Sequence, residues 1–84
     1  MKIKTALDWP QVAAVINTDL SSIGYNPDLK KMFRNIEGMV TELSKLEVDA
    51  RRTHSTKYLT PVIDKINQAV DHLEKLILMA RLMR

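Results

Sequence analysis

Residues 27–50 read PDLKKMFRNIEGMVTELSKLEVDA, and apolar side chains recur in them at Leu29, Met32, Ile36, Met39, Leu43, Leu46 and Ala50. The steps alternate between three and four residues. A strand would need apolar residues at every second position, whereas steps of three and four put them on one face of an α-helix. The stretch opens with Asn26 and Pro27: Asn can accept from the free N–H groups of a first turn, and Pro at the first helical position gives up a donor that had no partner. The spacing therefore predicts one uninterrupted helix over 27–53.

The same design returns further along the chain. After RRTHSTKYLT (51–60) breaks the rhythm, Leu59, Val62, Ile66, Ala69, Leu73, Leu76, Ala80 and Met83 resume it, and Thr60-Pro61 offers a second cap-and-proline start, giving a helix over 61–84. On the N-terminal side, Val12, Ala13, Ile16, Leu20 and Ile23 form a shorter stripe that stops at Gly24. Asp8 is placed to cap this first helix, with Gln11 completing a capping box and Leu7 stapling onto Val12. It should span about residues 9–23.

Apolar residues at heptad positions a and d alone make a two-stranded seam. Here position e is often apolar as well, at Phe33 and Val40 in the second helix and Ile63, Val70 and Ile77 in the third, and a wider stripe needs more than one neighbour. The expected fold is an all-α bundle in a single domain, residues 1–84: a short N-terminal helix packed on a long antiparallel helical hairpin. The first helix, joined to the second through the tight Gly24-Tyr25-Asn26 turn, must fold back along the first half of helix 2 and the last half of helix 3. That leaves Leu43, Leu46, Ala50, Leu59, Val62, Ile63 and Ile66 without cover from it. A second copy of the chain, as a homodimer or higher homo-oligomer, is the expected cover.

The end of the chain, LILMARLMR (76–84), poses a separate question. Leu76, Ile77, Ala80 and Met83 fit the seam, but Leu78, Met79 and Leu82 do not. Packing under Trp9, Val12 and Ile16 of the first helix would account for Met79. Leu78 or Leu82 should then stay exposed or meet a partner protein.

Composition narrows what the chain does. Eighty-four residues, 45% apolar and 27% charged, make one small globular domain. No apolar run approaches the roughly 20 residues that cross a bilayer, and MKIKTALDWP has no apolar core of a signal peptide, so a cytoplasmic protein is expected. The tail is apolar most of the way round and lacks the broad basic face of a helix lying on lipid, which makes membrane attachment an unfavoured reading. With no cysteine, neither a disulfide nor a thiolate metal site is available. His54 and His72 are too far apart in sequence, and without a third ligand at metal spacing, to form a site. No Gly-rich phosphate loop or nucleophile elbow occurs, so neither catalysis nor a cofactor is expected.

The charge is +3, from 13 Lys and Arg against 10 Asp and Glu. Lys30, Lys31 and Arg34 begin the second helix, at the end of the hairpin that also carries Arg81 and Arg84. Arg51, Arg52 and Lys57 mark the opposite end. Complementing the helix 2 C-terminal dipole explains Arg51 and Arg52; contact with phosphates at both ends of a rod is the alternative. In heptad pattern, residues 27–84 resemble the Rop family of plasmid-encoded RNA-binding proteins, whose helical hairpins dimerise into a four-helix bundle. They are similar in the same way to small secretion-system and phage-encoded accessory proteins. The expected function is a non-enzymatic regulator or adaptor that binds a protein target. A nucleic-acid-binding bundle using Lys30, Lys31, Arg34, Arg51, Arg52 and Lys57 is the alternative.

Overall fold

In the computed structural model, residues 2–53 and 56–83 are described. Three α-helices follow one another, α1 (Trp9–Ser22), α2 (Pro27–Thr53) and α3 (Leu59–Leu82), preceded by a single 3-10 turn at Ala6–Asp8. The molecule is a rod of 49 × 18 × 15 Å. Helices α2 and α3 pack along each other as a hairpin, and α1 touches both. The all-α bundle expected from the heptad spacing is the observed fold.

The local signals act largely where the sequence places them. Asn26 Oδ1 accepts from the Leu29 N–H at 3.2 Å, and α2 runs from Pro27 as expected. α1 ends where Gly24 takes φ +80°, a left-handed conformation that lets its N–H donate to the Ser21 carbonyl at 3.4 Å. α3 begins two residues earlier than the Thr60-Pro61 pair implied. Proline lacks an N–H that would find no intrahelical acceptor anywhere in the first turn, so Pro61 is tolerated inside that turn rather than only at its start. Tyr58, just before α3, donates its hydroxyl to the Leu46 carbonyl at 3.2 Å and ties the two long helices together near the connection.

The core is centred between the three helices. On α2 the e-position residues Phe33 and Val40 are buried while Met32, Met39 and Leu46 are only half-buried; on α3 Val70 and Ile77 are buried while Leu76 and Ala80 are half-buried. The buried stripe has rotated from the a/d seam toward the side where α1 supplies Trp9, Val12, Ile16 and Leu20. Trp9 and Phe33 stack with ring centroids 5.8 Å apart.

Asp8 corrects the expected start of α1. Its carboxylate does not cap that helix; Oδ2 accepts from the backbone N–H groups of Lys4 at 2.8 Å and Thr5 at 3.2 Å, closing a capping box with Thr5 around the 3-10 turn. Leu7, the expected staple, is 81% exposed. These backbone hydrogen bonds hold the Asp8 carboxyl below its ordinary pKa, because they favour the charged form.

The residues before α1 form an arm that changes how the far half of the hairpin is closed. At 14 residues against 27, α1 does fall short of that half, about 21 Å against about 40 Å. Residues 2–8 fill the gap instead. Ile3 is 2% exposed and joins the core. Leu43, Ala50, Leu59 and Ile66 are consequently buried, and Leu46, Val62 and Ile63 half-buried, within one chain. Leu43, Ala50, Leu59 and Ile66 therefore need no second chain to bury them.

Candidate binding surfaces

The exposed face of the last two turns of α3 is apolar. Leu78, Met79, Leu82 and Met83 are 52, 56, 76 and 83% exposed. Leu78 neighbours Leu82 and Met79 neighbours Met83 at i,i+4, and Met79 neighbours Leu82 at i,i+3, so the four form a square on one side of the helix end. The opposite side of the same turns is fixed to α1: the Arg81 guanidinium donates to Ser22 Oγ at 3.1 Å and reaches Asp19 Oδ1 at 3.5 Å. The square therefore stands on a helix end that is held in place rather than on a loose tail.

Two expectations about this tail need correction. Met79, expected beneath α1, is exposed because it lies two residues before Arg81, about 200° round the helix, and Arg81 is what faces α1. Met83, expected in the seam, is exposed because α2 starts at Pro27 and has no earlier turn to cover it. Leu78 and Leu82 are both exposed, so the sequence found half of the square. The missed signal was the i, i+1, i+4, i+5 pattern itself, which appears once Met79 and Met83 are no longer assigned inward.

The basic residues fall into two groups. Lys30, Lys31 and Arg34 are exposed at the start of α2, and Arg51, Arg52 and Lys57 are exposed at the other end of the hairpin. Roughly 26 to 33 Å of α2 separates Lys30 and Arg34 from Arg51 and Arg52, at 1.5 Å per residue. Lys30 Nζ sits 5.5 Å from the ring centre of Tyr25, itself exposed. A shallow cleft of about 650 Å³ between α1 and α2 is floored by Leu20 and Phe33 and edged by Tyr25, Lys30, Arg34 and Glu37. The Glu37 carboxylate there offsets part of the positive charge. His72 is exposed on α3, while His54 and Arg84 lie outside the described residues. Among the described residues no group of three or more His, Asp or Glu is arranged to hold a metal ion, and no helix is long and apolar enough to cross a membrane.

Fold and surface together define a class: an all-α three-helix bundle that presents an apolar square at one end. No family model, no curated protein and no solved structure matches the chain.

Proposed function

We propose that this chain is a small, non-enzymatic cytoplasmic regulator or adaptor that acts by binding another protein through Leu78, Met79, Leu82 and Met83. The observation that carries the reading is that four large apolar side chains, each more than half exposed, share one side of a helix end whose Arg81 is paired with Asp19 of α1. Contiguous apolar area of this kind is costly to leave in water and is what helix-mediated contacts use as anchors. Scattered single exposed residues such as Val15 and Val48 need no such explanation.

The test is affinity capture from the native cell with three full-length forms of the protein. These are the wild type, L78E/L82E, and K30E/K31E/R34E, each first shown to be helical by circular dichroism. The proposal expects proteins retained by the wild type and by the basic-patch variant but lost from L78E/L82E. Equal capture by L78E/L82E would remove the square from consideration. Capture of nucleic acid that falls steeply with salt and disappears in K30E/K31E/R34E would transfer the function to the phosphate-binding alternative.

A further inference from the structure

The N-terminal arm is held in a manner that would suit a peptide ligand. Its Ile3 N–H donates to Asn67 Oδ1 at 2.8 Å, and Asn67 Nδ2 donates back to the Ile3 carbonyl at 3.0 Å. A side-chain amide that accepts from an N–H and donates to the C=O of one residue reads the peptide backbone and is indifferent to the side chain attached to it. Three residues on, the Ala6 N–H donates to the Glu47 carboxylate, at 3.2 and 3.3 Å to its two oxygens. Asn67 stands on α3 and Glu47 on α2, so two polar groups of the hairpin are committed to holding backbone that belongs to neither helix. Ile3 supplies the fully buried apolar contact, and Ala6 is half-buried against the same core. Beside Thr5 and the exposed Leu7 of the arm the groove continues as an open cavity of about 450 Å³, with Ala50 and Leu59 at its floor.

We propose that the α2–α3 groove is a peptide-binding site, occupied in cis by the arm, that accepts in trans a segment able to take the arm's shape: an aliphatic residue followed three positions later by a small one that opens a 3-10 turn. The aliphatic side chain takes the Ile3 seat and Asn67 grips its backbone. The small residue brings its N–H to Glu47, as Ala6 does, without crowding the 3-10 turn. Specificity is therefore low in sequence and high in conformation. A segment longer than the arm would extend over Ala50 and Leu59. This site is independent of the α3 square: it lies toward the other end of the rod and uses different residues.

A tethered occupant competes at an effective concentration in the millimolar range for short linkers, so the wild-type groove should resist a free peptide until the arm is weakened. The test uses the full chain with Ile3→Asp, and a fluorescently labelled peptide of sequence MKIKTALD followed by anisotropy. The expected result is saturable binding to I3D, at least tenfold weaker binding to wild type, and loss of binding in I3D/N67L. A peptide with Asp in place of its Ile should not bind. I3G serves beside I3D in case a charge at that position disturbs the hairpin. Failure of the peptide to bind folded I3D and I3G would overturn the proposal. So would unfolding of both variants, since the groove would then not exist without the arm.

Discussion

Gly24 and Gly38 are the chain's two glycines, and the same substitution at each should act in opposite directions. Gly24 holds φ +80°; a Cβ there would meet no neighbouring atom, so the whole penalty of Gly24→Ala is backbone strain, about 1–2 kcal/mol of lost stability. Gly38 lies in the interior of α2, and an added Cβ again meets nothing. There Gly38→Ala exchanges the poorest non-proline helix former for the best and should stabilise by up to about 1 kcal/mol. Urea denaturation of the two variants tests the pair: the midpoint should fall for G24A and rise for G38A. If both fell, Gly38 would be meeting a requirement that a free monomeric helix does not have. Asp8 shows where reading single residues reaches its limit. Both Thr5 to Asp8 and Asp8 to Gln11 have the spacing of a capping box, and local sequence does not choose between them. The choice follows from Ile3, whose burial against a helix more than sixty residues away brings the Lys4 and Thr5 N–H groups to Asp8.

The arm relies on a titrating side chain for its local structure. The Asp8 pKa is depressed in the folded arm, so its ionised form stabilises the Lys4 and Thr5 N–H groups above the ordinary carboxylate range. That contribution is lost as pH falls through the depressed folded value. Amide exchange should therefore show protection at Lys4 and Thr5 weakening on acidification before protection in the centres of α2 and α3 does. D8N should remove that pH dependence, and its persistence in D8N would assign the effect to another group. The long helices were legible in the sequence because a repeating three-and-four spacing over more than twenty residues states both the element and its buried face. The arm was not legible. A single isoleucine between two lysines has no periodicity, and Asn67 and Glu47, the residues that seat it, occupy helix positions where polar side chains usually face water. Without the arm the surface beneath it is bare, and Leu43, Leu46, Ala50, Leu59, Val62, Ile63 and Ile66 read as a dimer contact. The outward square on α3 was half legible, because Leu78 and Leu82 broke the heptad while Met83 happened to continue it.

For the whole molecule the question is whether the arm and the bundle unfold as one cooperative unit. Ile3 and Leu73 are comparably buried, yet they belong to parts with different connections to the core. Leu73 lies on a long helix packed along another, and it cannot leave the core unless the bundle opens. Leu73→Ala should cost about 2–5 kcal/mol through its cavity, and Leu73→Asp much more, because a charge would be stranded in the apolar centre. Ile3 sits on a segment of a few residues, and exchange of the arm for a peptide requires that this segment lift away while α1, α2 and α3 stay packed. The cost of any substitution there is capped at the free energy of docking the arm, since a worse side chain only completes its release. Ile3→Ala and Ile3→Asp should therefore destabilise by the same amount to within about 0.5 kcal/mol, while the two Leu73 variants diverge. Equilibrium denaturation of the four proteins measures this directly. A large gap between I3A and I3D would mean that the arm is fused to the core and that the groove beneath it does not open in the native protein. Equality would give the docking free energy itself, and with it the advantage a competing peptide must overcome.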